Sequence, residues 1–104
     1  FVWTTVMSRP AATRAVVDAG LKSVSVDSGL PQVWHHEGLE CVSDSDEHFV
    51  FAIGPGAAAP ALGETLLLGP GNCDPTVNLH DWFVCVRRGE VEALWPVSAR
   101  GATR

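Results

Sequence analysis

Trp82-Phe83-Val84-Cys85-Val86-Arg87-Arg88-Gly89-Glu90-Val91-Glu92-Ala93-Leu94-Trp95-Pro96 reads as two apolar strands, Trp82 to Val86 and Val91 to Trp95, flanking Arg87-Arg88-Gly89-Glu90. β-Branched and aromatic residues fit a pleated surface, and a glycine in a tight connection between two such runs signals a hairpin. Pro96 has no backbone N–H, so it ends the second strand or marks an edge. The same grammar recurs upstream. Phe1 to Met7 and Glu64 to Leu68 are strand-like runs, and Glu47 to Ile53 places Phe49, Phe51 and Ile53 on one face. Pro10 and Gly20 would frame a short helix over Thr13 to Gly20. The alternation of Ser23 and Ser25 with Val24 and Val26 favours a hairpin instead, Arg14 to Asp18 turning at Ala19-Gly20 into Leu21 to Val26. Asp27-Ser28-Gly29-Leu30-Pro31 and the Gly/Pro-rich run from Gly54 to Gly63 read as connections. Seven or eight short strands with turns every ~8–12 residues predict an all-β, mainly antiparallel fold, a small β-barrel or sandwich-like domain.

Size and charge narrow the function. The 104 residues suit one domain, and 46% hydrophobic content supplies one modest core. A net charge of −5 without a basic cluster argues against nucleic acid as a partner. No apolar run approaches the ~20 residues of a spanning helix, so no membrane partner is expected. Cys41, Cys73 and Cys85 are widely spaced, without a C-x-x-C pair. That spacing predicts reduced thiols in a cytoplasmic protein rather than a disulfide framework. The chain opens at Phe1 inside an apolar β-branched run, as a strand entered part-way would. We therefore expect a piece of a longer polypeptide.

Chemistry concentrates just before the hairpin. Gly69-Pro70-Gly71-Asn72-Cys73-Asp74-Pro75-Thr76-Val77-Asn78-Leu79-His80-Asp81-Trp82 gathers Asn72, Cys73, Asp74, His80 and Asp81. On an extended backbone Asn72 and Asp74 share a face and Cys73 takes the other. Two oxygen donors at i and i+2 make half of a site for a hard cation. They also suit an ordinary turn, since Asn and Asp bond their own backbone there. His80 reads as a partly buried histidine bonded to backbone, or as an acid/base. His35 and His36 are adjacent, so on a strand they point apart and do not share a metal. Arg9 and Arg14 are candidate carboxylate or phosphate ligands. Trp3, Trp34, Trp82 and Trp95 are candidate core or interface anchors. No G-x-S-x-G elbow and no Gly-rich phosphate loop occurs.

The segment Pro70-Gly71-Asn72-Cys73-Asp74-Pro75-Thr76-Val77-Asn78-Leu79-His80-Asp81-Trp82 closely resembles the C-terminal signature of the D-threonine aldolase and D-serine dehydratase-like family, fold-type III pyridoxal phosphate enzymes. Ser8-Arg9-Pro10, Val17 to Lys22, Ser25 to Gly29, Ser45-Asp46-Glu47-His48 and Ala93 to Val97 extend the resemblance over nearly all the chain. In that family the position of Asn72 is normally His and that of Asp74 is Asp or Cys, and the pair binds a divalent cation.

The resemblance implies a single C-terminal β-domain, residues 1–104, following an N-terminal cofactor barrel that is not present here. The barrel would carry pyridoxal phosphate and its Schiff-base lysine; Lys22, the sole lysine, is a poor candidate. The implied reaction is retro-aldol cleavage of D-3-hydroxy amino acids, or dehydration as in D-serine dehydratase, in a homodimer acting on a D-amino acid substrate. Asp74 and Asn72 would contribute to a site for Mn, Mg or Zn, with the metal engaging the substrate's β-hydroxyl. The alternative is a stand-alone or degenerate, non-catalytic β-domain with a structural or partner-binding role. Alanine racemases also place a β-domain after such a barrel, and theirs supplies a catalytic tyrosine. This chain has no Tyr, which excludes that mechanism for it.

Overall fold

The computed structural model describes residues 1–103. Eight strands and one short helix follow in order: β1 (Val2–Ala11), β2 (Arg14–Val17), β3 (Gln32–Val33), β4 (Leu39–Ser43), β5 (Val50–Ile53), β6 (Thr65–Gly69), α1 (Cys73–Val77), β7 (Trp82–Arg87) and β8 (Glu90–Pro96). Six strands form one antiparallel sheet in the order β3-β6-β1-β2-β5-β4, and β7 and β8 form a separate hairpin.

β1 explains how the sheet curls. Its first half, Val2 to Thr5, pairs with β6; from Val6 onward it pairs with β2, with two register shifts. Such irregularities bend a strand and increase its twist. The bend brings the terminal strands β3 and β4 against each other, giving a nearly closed barrel. Pro10 falls inside β1 at the second irregularity, where its missing N–H costs little. The strand expected over Phe1 to Met7 therefore runs on to Ala11.

The barrel interior follows the period of two. Thr4 and Val6 on β1, Ala15 and Val17 on β2, and Leu66 and Leu68 on β6 all point inward and are buried. Phe49 and Phe51 fill the centre with no exposed surface, and Ile53 packs at the margin. Arg9 fastens the rim: its guanidinium donates to the carbonyls of Arg14 (2.9 Å), Ala12 (3.1 Å) and Pro60. Three of its five donors are thus committed to backbone, which gives Arg9 a structural role at the rim.

One expected strand is replaced. Leu21 to Val26 is not a strand. The chain turns after Gly20, whose carbonyl accepts from Ser23 N (2.9 Å), Val24 N (3.0 Å) and Ser23 Oγ (3.1 Å). Serine offers the backbone this local alternative to a ladder. Val24 is buried as a loop residue, which is what its alternation with serine reflected. His35 and His36 sit in the turn between β3 and β4, with His35 at φ 55°. The hairpin matches expectation. Arg88 (φ 51°) and Gly89 (φ 77°) form a two-residue connection with positive φ at both central positions, the turn whose twist suits a hairpin.

Candidate functional site

The signature stretch is a helix start rather than a strand. Asn72 is itself extended (φ −141°, ψ 123°), but Cys73 to Val77 are helical. Asn72 caps that turn, its Oδ1 accepting from Asp74 N at 3.1 Å. Asp74 lies in the first turn, where negative charge meets the orphan N–H groups, and Pro75 occupies a first-turn position that needs no donor. The strand-like geometry expected for Asn72 and Asp74 is therefore corrected: they are neighbours through a cap, not through alternation.

The loop that replaces the expected strand at Leu21 to Val26 holds this helix in place. Thr76, buried in α1, donates from Oγ1 to Asn72 O (2.9 Å) and accepts from Ser25 N (3.1 Å). Gly71 lies against the Ser28-Gly29 turn so closely that a Cβ there would sit 2.7 Å from Ser28 O and 2.8 Å from Gly29 O. His80 follows the helix, and its Nε2 is 2.8 Å from Ser23 O. A carbonyl only accepts, so Nε2 carries a proton, and in the neutral tautomer with that proton Nδ1 is an acceptor. Asp81 pairs with Arg100, whose Nε also donates to Asn78 O (3.0 Å), closing the far end of the helix.

The segments that stood out in the sequence thus converge from both sides of the loop. Its first residues pack on Ser45 to His48. A Cβ on Gly20 would meet Glu47 C, His48 N and Ser45 O, each at 2.5 Å, while Leu21 N donates to Ser45 O and Lys22 N to Asp46 O, both at 2.9 Å. Glu47 and His48 lie ahead of β5 rather than in it. Lys22 Nζ and Glu47 Oε1 form a surface ion pair at 2.8 Å. The hydrogen bond and charge of Glu47 raise the Lys22 pKa above the ordinary lysine value, and Lys22 in turn lowers that of Glu47. Asp18 is held below the usual carboxylate range, chiefly by the Thr4 hydroxyl (2.7 Å) and then by Thr5 N–H (2.8 Å).

Beside α1 opens a groove of about 980 Å³. Trp3, Trp34, Cys73, His80, Trp82 and Val84 line it. All four tryptophans of the chain are more than half exposed (Trp3 63%, Trp34 52%, Trp82 56%, Trp95 61%), so none is a core anchor. Asp74 is exposed and Asn72 half-buried. Among the described residues no group of three His, Cys, Asp or Glu side chains is arranged to enclose a cation.

Residues 1–86 match the family described as "Putative serine dehydratase domain". Over all 104 residues the chain is 50% identical to a D-threonine aldolase from Arthrobacter sp., covering 27% of that protein. Over 101 residues it is 52% identical to a 3-hydroxy-D-aspartate aldolase from Paracoccus denitrificans, covering 97% of this chain and 26% of that one. The crystal structure of the D-threonine aldolase from Filomicrobium marinum superposes on the whole chain with a TM-score of 0.93 at 44% identity, covering 29% of that protein. The chain therefore spans between a quarter and a third of the length of these relatives.

Proposed function

The chain belongs to the serine dehydratase domain family, and from that premise we propose that it is the C-terminal β-domain of a pyridoxal phosphate-dependent lyase that cleaves D-3-hydroxy amino acids by a retro-aldol reaction. The observation that carries this reading is the match, over at least 97% of the chain, to two aldolases whose named substrates are both D-3-hydroxy amino acids. Dehydration of the same substrate class is the sister reading, supported by the family description.

In this account the chain walls one side of the active site. The cofactor's covalent anchor does not fit here. Lys22 is exposed and paired with Glu47, which favours its protonated and non-nucleophilic form. The Schiff-base lysine belongs to the barrel of the longer protein, which would supply the carbanion chemistry.

For a divalent metal the chain offers the Asp74 carboxylate and the Asn72 amide oxygen. Asn72 Oδ1 already accepts one hydrogen bond and retains a second lone pair. Both are hard oxygen donors, which suits Mg or Mn better than Zn. The remaining ligands would come from outside the described residues. When bound, such a metal would act as a Lewis acid toward the substrate's β-hydroxyl oxygen. His80, with Nε2–H held by Ser23 O, would present Nδ1 as a hydrogen-bond acceptor.

A second reading, a non-catalytic β-domain that kept the fold without the metal, is favoured by one observation. The Asn72 side chain serves the helix cap, a role that needs no ligand. Reading the coding sequence upstream of Phe1 separates the two. A continuous frame encoding a barrel with a cofactor lysine supports the lyase; a start codon directly before Phe1 supports the non-catalytic domain.

A further inference from the structure

The groove beside α1 is bordered by one edge of the hairpin. Trp82, Phe83, Val84 and Val86 all line it, and no residue of β8 does. Trp82, Val84 and Val86 share one parity along β7 and Phe83 has the other, and none of their β8 neighbours borders the space, so the groove runs along the β7 side of the hairpin. β7 is paired with β8 alone, so the N–H and C=O groups of its outer edge have no strand partner. Its side chains are apolar and exposed, Val84 at 57% and Phe83 at 44%. A long, apolar, open edge in a native protein is ordinarily covered by another strand, helix or loop. Two of the polar groups that line the groove are already used, His80 Nε2 on Ser23 O and Thr76 Oγ1 on Asn72 O.

The position of Phe1 says what covers it. Phe1 lies in the groove, 70% exposed, with its ring 5.0 Å from that of Trp34, and Val2 begins β1 directly after it. The chain spans 26–29% of the lengths of its relatives, so most of the longer protein lies outside these residues. Any polypeptide preceding Phe1 starts from within this groove. We propose that the segment immediately preceding Phe1 in the longer protein runs through the groove in extended form and adds a strand to the open edge of β7. Main-chain hydrogen bonds would hold it, and Trp3, Trp34 and Trp82 would cover its side chains, as in strand addition generally. This inference rests on the proposed function only in requiring a longer polypeptide.

The test is made on the longer protein, expressed from its continuous reading frame with p-benzoylphenylalanine at Val84. Val84 is exposed, so the replacement leaves the fold alone. After irradiation, peptide mapping is expected to find the adduct on residues preceding Phe1 in the same polypeptide. Hydrogen exchange of the longer protein is expected to show slow amides on both edges of β7, and residues 1–104 alone to lose the slow set on the outer edge. Crosslinks to a second copy, to another part of the longer protein, or only within residues 1–104 would overturn the proposal, as would unchanged exchange in β7. Cleavage of D-threonine by the same preparation is scored separately, so an active enzyme with the wrong crosslink defeats this inference and spares the function.

Discussion

Asn72 closes the first turn of α1 and also stands where the family resemblance places a metal-binding imidazole, so one position reports on two claims. Imidazole suits Zn better than a neutral amide oxygen does. Changes one shell beyond the ligands typically cost ~10–100-fold in affinity. Asn72→His is expected to raise the Zn affinity of the longer protein by about tenfold or more, on the scale of those outer-shell effects. Adding Asp74→Ala should abolish that gain. Titration calorimetry on the parent and the two variants decides it, and equal affinities would remove the metal from the account. Asp18 supplies a pH test. Its folded pKa lies below the ordinary aspartate value of 3.8 because Thr4 and Thr5 donate to its carboxylate. Its contribution to stability is thus complete above the unfolded pKa and fades as pH falls through 3.8 and then through the lower folded value. Urea midpoints between pH 6 and 2 should fall less steeply for Asp18→Asn than for the parent.

At the scale of elements, the short helix and the loop beneath it act as one unit. Thr76 Oγ1 both donates to Asn72 O and accepts from Ser25 N while buried. Thr76→Val keeps the shape but leaves those two backbone groups without partners, a loss of roughly 1–3 kcal/mol. Chemical denaturation should read that loss, and a neutral result would mean water replaces the hydroxyl. The helix itself was legible in principle. An Asn cap, an acidic residue in the first turn and an early Pro form a start signal, yet Asn72-Cys73-Asp74 also fits alternation on a strand. The strands fared better where period two was backed by bulk, as for Phe49 and Phe51 around β5 or Leu66 and Leu68 in β6. The alternation of Val24 and Val26 with serines misled, because a buried loop residue leaves the same trace as a strand residue. The Arg88-Gly89 hairpin was legible from its turn chemistry alone.

Taken whole, the molecule is a nearly closed barrel with an appended hairpin and a wide apolar groove between them. The fold class followed from strand count and punctuation. The convergence of the 20s loop with the signature stretch did not, because contacts such as His80 to Ser23 join residues far apart in sequence. On the proposed reading the chemistry lies partly in the rest of a longer protein, and the exposed, ion-paired Lys22 is no cofactor anchor. Borohydride reduction of residues 1–104 in the presence of pyridoxal phosphate should leave Lys22 without a stoichiometric pyridoxyl adduct by mass spectrometry. An adduct there would mean that the chain carries its own cofactor anchor. The claim at the centre is that this chain serves a lyase of D-3-hydroxy amino acids, and the stereochemistry of cleavage tests it most directly. The longer protein, supplied with pyridoxal phosphate and Mn, is incubated with D-threonine or L-threonine while acetaldehyde is followed. The account predicts acetaldehyde and glycine from the D-enantiomer alone; cleavage of L-threonine at a comparable rate, or of neither, would contradict it.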